Sequence, residues 1–190
     1  MHMIRNKQLA PKISLSLLIL AASCIHCAAG VREAVTARLE GLPAPRFLLG
    51  NTEAEVFEQF EPKGYWGRRG GERVEVDGQP FNQAWRVTMG VKPGNPWGGL
   101  MQTTCPVGVP KGTPLYFTCA ARAVAFADEE PGGTVEFLLD GGKHRRTFDL
   151  DGEWTSIHMP FEARRDYAAG KMELSAFLAF DKQIVELGGF

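Results

Sequence analysis

The strongest constraint on the fold is a strict two-residue alternation that follows the turn signal Lys111-Gly112-Thr113-Pro114. One set of alternating residues is apolar and small, and the other ends in a guanidinium: Leu115, Phe117, Cys119 and Ala121 against Tyr116, Thr118, Ala120 and Arg122. Successive side chains of a strand point to opposite faces, so this period predicts a half-buried strand with one polar face. The same period recurs along most of the chain, and no catalytic motif interrupts it.

Short strand patterns and turn signals fill the chain from Arg46 onward. Gly and Pro joints such as Asp77-Gly78, Pro131-Gly132-Gly133 and Asp140-Gly141-Gly142 separate them. Strands are predicted over residues 46–49, 56–60, 72–76, 83–90, 99–105, 114–126, 134–139, 145–150, 154–161, 172–180 and 183–187. No helical period is sustained after residue 45. Many short strands at regular spacing predict an all-β sandwich or barrel.

The alternation also assigns residues to faces. Trp85 and Trp154 are predicted in the core. In the last long strand, Phe177 shares a face with Glu173 and Ser175, opposite the predicted core residues. An apolar ring on a polar face calls for a covering loop or a ligand.

The first 29 residues read as a secretory signal peptide. Arg5, Lys7 and Lys12 precede a short apolar run, which is followed by the small residues that end at Ala29. Lipid attachment at Cys24 is the alternative. We therefore expect a secreted or periplasmic protein with no membrane span, a lead-in segment over residues 30–45 and one domain over residues 46–190.

Charge argues against a nucleic-acid partner. The chain has 21 basic and 22 acidic residues, and three of the basic ones lie in the predicted signal peptide, which leaves 18 against 22. Nucleic-acid binding would require a concentrated basic surface. The remaining Arg pairs are too dispersed to provide one.

Two cysteines, Cys105 and Cys119, remain after the predicted cleavage, in a compartment that permits disulfides. They lie in consecutive predicted strands, so a bridge is predicted, with two buried thiols as the alternative. No Cys or His spacing typical of a zinc site is present.

Several segments, read in order, resemble one known family. They are Val76–Val87, Asn95-Pro96-Trp97 with Leu100, Lys111–Arg122, Trp154 with Pro160-Phe161, and Gln183-Ile184-Val185-Glu186-Leu187-Gly188-Gly189-Phe190. The series resembles the jelly-roll carbohydrate-binding modules of the group that joins families 4, 9 and 22, and in particular the module that precedes family-10 xylanase-like catalytic domains. The resemblance covers roughly residues 46–190.

The resemblance implies a galactose-binding-like jelly-roll β-sandwich of two antiparallel sheets. It also implies non-catalytic binding of a β-linked polysaccharide of the xylan or β-glucan type. We expect the protein to be a monomer. No cofactor is expected, apart from a structural calcium ion for which Glu53, Glu55 or Asp181 could supply oxygen ligands.

Sugar binding requires flat aromatic surfaces and polar groups fixed on rigid strands. We predict Trp66 and Trp97 as stacking platforms, because both lie in Gly- and Pro-rich loops outside the core alternation. Tyr116, Arg122 and Glu136 are predicted to hydrogen-bond sugar hydroxyls. The alternative for Arg122 and Glu136, together with Arg86, is a cross-strand set of salt bridges.

Two other functions stay open. The chain could be the N-terminal fragment of a family-10-like glycoside hydrolase, or itself an enzyme using two of Glu136, Glu173 and Glu186 as a carboxylate pair. It could also be an envelope-associated sandwich that holds a protein partner, for which the exposed Phe177 would serve.

Overall fold

The computed structural model of the chain describes residues 48–50, 52–63, 71–91, 94–126 and 129–190. The predicted signal peptide, Cys24 and the lead-in segment lie outside these residues. The described part contains helix α1 (Glu53–Gln59) and a short 3-10 helix (Pro96–Gly98). Its strands are β1 (Pro62–Lys63), β2 (Glu72–Glu75), β3 (Gln83–Met89), β4 (Leu100–Thr104), β5 (Pro114–Val124), β6 (Gly133–Leu139), β7 (His144–Leu150), β8 (Thr155–Glu162), β9 (Glu173–Phe177) and β10 (Gln183–Gly188). None of the helices in these ranges has the length and apolar character needed to cross a bilayer.

The strands form two five-stranded antiparallel sheets. Sheet 1 has the order β1-β4-β9-β6-β7, and sheet 2 has the order β2-β3-β10-β5-β8. Consecutive strands mostly change sheet, as β3, β4 and β5 do and as β8, β9 and β10 do. The protein is a jelly-roll β-sandwich, as the sequence predicted.

The core lies between the sheets and follows the alternation. In β3, Trp85 and Val87 are buried, and in β6 Val135, Phe137 and Leu139 have no or almost no exposed surface. Fully burying one such apolar side chain stabilises the fold by about 1.5–3 kcal/mol. The strands are therefore held mainly by the faces that they turn toward each other.

A tight hairpin joins β6 to β7. Asp140, Gly141 and Gly142 all have positive φ angles, of 53°, 61° and 83°. Glycine adopts this region without steric cost, which is why the Asp-Gly-Gly signal marks a turn here. The hairpin fixes the register that places Glu136 opposite Thr147.

Residues 53–59 form helix α1, so the strand predicted over residues 56–60 is wrong. Thr52 caps the helix: its Oγ1 accepts a hydrogen bond from the Glu55 N–H at 3.2 Å. Thr-x-x-Glu is the capping-box pattern, which outweighed the short apolar run. The helix buries Phe57, whose ring stacks on Trp85 at 4.8 Å and whose carbonyl accepts from the Trp85 indole N–H.

Trp154 is not in the core between the sheets, contrary to the prediction. It packs on the outward side of sheet 2, edge-on to Phe81 at 5.0 Å, beside Ala84 and Ala120. Phe81 fits there because residue 188 is glycine: a Cβ at Gly188 would lie 2.7 Å from the Phe81 ring. The loop that carries Phe81 thus covers part of this face with a second, small apolar cluster.

Cys105 and Cys119 are buried thiols that no disulfide joins. Cys105 follows β4 in sheet 1, where its N–H donates to the Met172 carbonyl, whereas Cys119 lies in β5 of sheet 2. The prediction of a bridge is therefore wrong; it took the two cysteines to lie on neighbouring strands, whereas β4 and β5 belong to different sheets. Desolvation by burial raises the pKa of the Cys119 thiol above its usual range.

Candidate functional site

The predicted binding residues do not form one site. Glu136 lies on the outward face of sheet 1, whereas Tyr116 and Arg122 lie on the outward face of sheet 2. Trp97 lies at one end of sheet 1, and Trp66 lies outside the described residues. Alternation separates inward from outward side chains, but it does not say which of the two sheets an outward side chain belongs to.

The outward face of sheet 1 carries two rows of side chains that cross the strands. Cross-strand pairing defines the first row as Leu100, Phe177, Glu136 and Thr147. The second row is Gln102, Ser175, Leu138 and Arg145. Adjacent strands lie about 4.8 Å apart, so four residues in a row span about 14 Å.

Phe177 is at the centre of the first row. It is partly exposed, with Leu100 as its partner on β4 and Glu136 as its partner on β6. The predicted placement of Phe177 opposite the core is confirmed. An apolar ring is therefore presented between an aliphatic side chain and a carboxylate.

Glu136 and Arg145 form a two-point ion pair beside the ring. Arg145 Nε lies 2.8 Å from Glu136 Oε1, and Arg145 Nη2 donates to Glu136 Oε2 at 3.1 Å. The Glu136 side chain is 11% exposed and the Arg145 side chain is 58% exposed. Such bidentate pairs have a fixed geometry. The carboxylate is therefore held in place while the guanidinium remains open to solvent.

Two neutral polar side chains complete the second row. Gln102 is partly exposed, and its Nε2 donates to Ser175 Oγ at 3.4 Å. The amide and the hydroxyl both offer donors and acceptors on a rigid sheet. The face thus combines an apolar centre with donors, acceptors and one charged pair.

Trp97 lies in the 3-10 helix at the end of sheet 1 where β4 begins and β9 ends. Backbone hydrogen bonds from Leu178 N to Gly99 O (2.8 Å) and from Ala179 N to Pro96 O (3.1 Å) tie the 3-10 helix to the chain that follows Phe177. Trp97 is 51% exposed. Of the predicted site residues, Trp97 and Glu136 are therefore associated with sheet 1.

The outward face of sheet 2 is built around a buried carboxylate. Glu186 has no exposed surface, although it points away from the core between the sheets. Arg86 Nε and Nη2 donate to its Oε1 at 2.8 and 2.6 Å, and Arg122 Nε donates to its Oε2 at 2.7 Å. The cross-strand salt bridges that the sequence left open for Arg86 and Arg122 thus form with Glu186, and Glu136 takes no part in them.

Arg122 also contacts an aromatic ring. Its guanidinium carbon lies 4.7 Å from the centre of the Trp154 ring. Tyr116, on the same face, stacks against His158 at 5.8 Å. Neither Arg122 nor Tyr116 can contact a ligand that lies on the outward face of sheet 1.

The three carboxylates considered for catalysis are separated. Glu136 and Glu173 lie on the outward face of sheet 1, and Glu186 lies in the other sheet between two guanidinium groups. For calcium, no group of three or more acidic, His or Cys residues in the described ranges could hold a metal ion. Asp181 accepts from the Lys182 N–H at 2.8 Å. A calcium site at Glu53, Glu55 or Asp181 stays a prediction.

Several residues of the two rows were not predicted as binding residues, among them Leu100, Gln102, Ser175 and Arg145. The sequence analysis considered Arg145 and Arg146 only as one of several dispersed Arg pairs. The signal that could have found Arg145 is its alternation with Thr147 and Asp149, which marks one face of β7.

Comparisons with known proteins found matches among solved structures only. No family model and no curated protein matches the chain. Solved structures that match include a carbohydrate-binding module of family 4, 15% identical with a TM-score of 0.43, over 65% of this chain and 77% of the module. The second family 22 xylan-binding domain of a Paenibacillus barcinonensis protein is 11% identical with a TM-score of 0.43, over 65% and 85%.

A family 16 carbohydrate-binding module matches at 14% identity and a TM-score of 0.42, over 75% of this chain and 96% of the module. At these identities and TM-scores, the ligand of this chain has to be argued from its own residues.

Proposed function

We propose that the protein binds a β-linked polysaccharide, without cleaving it, on the outward face of sheet 1. The observation that carries the proposal is the partly exposed Phe177 ring, set between Leu100 and the carboxylate of the Glu136–Arg145 pair. A pyranose in a β-linked chain has an apolar face and a rim of hydroxyl groups. The first row offers surfaces that match both.

The polar side chains are suited to hydroxyl groups because they are already ordered. Ordering a side chain on binding costs about 0.5–1.5 kcal/mol, and the Glu136–Arg145 pair meets most of that cost on folding. Gln102 and Ser175 supply neutral donors and acceptors next to it. A shallow face excludes little water, so the expected affinity is modest, about micromolar to millimolar.

The ligand is expected to cross the strands rather than follow them. The apolar side chains Leu100 and Phe177 are direct cross-strand partners, and Trp97 lies at the end of the sheet where these two strands meet the 3-10 helix. We infer that Phe177 is the central platform and that Trp97 is a terminal one. Xylan and β-glucan, which the sequence resemblance suggests, are the first glycans to test. A glycan of this kind would reach the protein after secretion, as the predicted signal peptide implies.

Affinity electrophoresis and calorimetry on xylan, mixed-linkage β-glucan, mannan and cellulose test this proposal. Retention on at least one glycan, weakened in Phe177→Ala and Glu136→Gln, is the expected result. Release of reducing sugar from the same glycans, measured in parallel, would instead support the hydrolase alternative. No retention on any of the four glycans would contradict binding of this ligand class.

A further inference from the structure

The outward face of sheet 2 has hydrogen-bonding capacity that the fold does not use. Arg122 donates only its Nε–H to Glu186, at 2.7 Å. Its terminal nitrogens, Nη1 and Nη2, have no hydrogen-bond partner among the residues that the structure describes. The side chain is 33% exposed, so water reaches this guanidinium.

Glu186 and Trp154 hold this guanidinium in place. Glu186 is completely buried and also binds Arg86, and Trp154 lies under the guanidinium at 4.7 Å. A planar guanidinium fixed in this way presents two parallel N–H groups at its free edge, which match the two oxygens of a carboxylate. Little side-chain ordering remains to oppose binding.

The local charge favours an anion. On this face, the guanidinium groups of Arg86 and Arg122 share the one buried carboxylate of Glu186, which leaves one positive charge in excess. Glu72 offsets part of it, with its Oε1 3.7 Å from Arg86 Nη1, but the Glu72 side chain is 68% exposed. Exposed ion pairs are weak and screened by salt. A ligand carboxylate near Arg122 is therefore attracted without displacing a strong partner.

We propose that Arg122 and Trp154 form a second binding site, on the face opposite the proposed polysaccharide site, that takes the carboxylate of a uronic acid. The free edge of the Arg122 guanidinium binds the carboxylate. The partly exposed Trp154 indole borders the sugar ring. This site does not depend on the function proposed for sheet 1, because the two faces are on opposite sides of the sandwich.

The direct test is an NMR titration of the purified protein at low salt with methyl β-D-glucuronoside. The Trp154 indole N–H and the Arg122 Nε–H signals are expected to shift saturably at millimolar ligand, and the shifts are expected to weaken as salt is added. Methyl β-D-glucoside, the neutral analogue, should leave both signals in place. If the neutral glucoside or plain sodium sulfate shifts them to the same extent, a site for a uronic acid is ruled out.

Variants separate this site from a general charge effect. Arg122→Lys keeps a positive charge beside Glu186 but loses the two parallel N–H groups of the guanidinium. Glucuronoside affinity should therefore fall at least fivefold. Glu72→Gln removes the exposed carboxylate beside Arg86, which lowers the negative charge of this face, and should raise affinity about twofold. Phe177→Ala, on the other sheet, should leave glucuronoside binding unaltered. Each variant's melting temperature reports whether it is folded.

Unchanged affinity in a folded Arg122→Lys variant would overturn the proposal. Should that variant fail to fold, Glu72→Gln decides instead, because its exposed side chain contributes little to stability. Unaltered affinity in Glu72→Gln would then count against the site. Loss of glucuronoside binding in Phe177→Ala would assign the ligand to the other face.

Discussion

Glu136 and Glu186 show how the neighbours of a residue decide its role. Both are acidic side chains on strands, and both point away from the core between the sheets. Glu136 has one partner, Arg145, which is open to solvent, whereas Glu186 has two partners and no exposed surface. The first pair is therefore accessible to solvent on the Arg145 side, and the second links three strands of sheet 2.

The buried position of Glu186 predicts a large stability effect. Glu186→Gln removes the charge that two guanidinium groups share, and breaking a buried ion pair typically costs about 3–5 kcal/mol. Glu72→Gln is the matched control, because Glu72 also pairs with Arg86 but is exposed. This variant should change stability by less than about 0.5 kcal/mol. Urea unfolding of both variants measures the difference. Equal unfolding midpoints would show that the ion pairs of Glu186 with Arg86 and Arg122 do not stabilise the fold.

Phe177 predicts a binding effect with little stability effect. Phe177→Ala removes an apolar ring that is partly exposed on the outward face of sheet 1, so retention on the best glycan should weaken about tenfold or more. Tyr116→Ala removes a comparable ring from the outward face of sheet 2 and should leave retention unchanged. Affinity electrophoresis of the two variants beside the parent tests this. Equal weakening by both would place the ligand elsewhere.

At the scale of single residues, the period of two could be read from the sequence and its consequences for burial were confirmed in β3, β6 and β9. The exception is Trp154, which precedes β8 and packs on the outward cluster around Phe81. A tryptophan is large and apolar enough to make a small core of its own wherever a loop covers it. The sequence contains no local signal that the loop carrying Phe81 will cover the outward face of sheet 2.

At the scale of elements, helix α1 shows that a capping residue can outweigh a short apolar run. Residues 56–60 include Val56, Phe57 and Phe60, which suit a strand as well as a helix, but Thr52 and Glu55 supply the start of a helix. Although the helix is short, it contributes to the core, because it places Phe57 against Trp85 and Phe60 against Phe117.

The cap can be tested separately from the packing. Thr52→Ala removes the oxygen that accepts from the Glu55 N–H, and losing such a cap typically costs about 1 kcal/mol. Thr52→Ser retains the oxygen and should restore most of that stability. Thermal and urea unfolding of the pair give the comparison. If serine is no better than alanine, the hydroxyl does not act as a cap.

At the scale of the whole molecule, the limit of sequence reasoning is the assignment of strands to sheets. Arg122 and Glu136 were both predicted correctly as outward-facing, yet the jelly roll places them on opposite sides of the sandwich. Cys105 and Cys119 likewise belong to different sheets, although both lie in the core between them. Local periodicity contains no information about which distant strands become neighbours, since that depends on the path of the complete chain.

The burial of the two thiols can be tested by alkylation. Because both are buried and belong to different sheets, Cys105 and Cys119 should resist alkylation in the native protein and react fully after unfolding, with no reducing agent needed. Peptide mass spectrometry of native and unfolded samples measures this. A peptide pair that separates only after reduction would show a disulfide and contradict the presence of two thiols.

Strand β10 comes last among the described strands, yet it lies in the middle of sheet 2, between β3 and β5. The earlier strands of that sheet therefore have no complete partner set until residues 183–188 have been synthesised. Assembly of the sandwich must wait for the end of translation of this region, and until then exposed strand edges invite association with other nascent chains. Until this central strand arrives, β3 and β5 cannot form the ladders that each of them shares with β10, so sheet 2 is the last part of the sandwich to close.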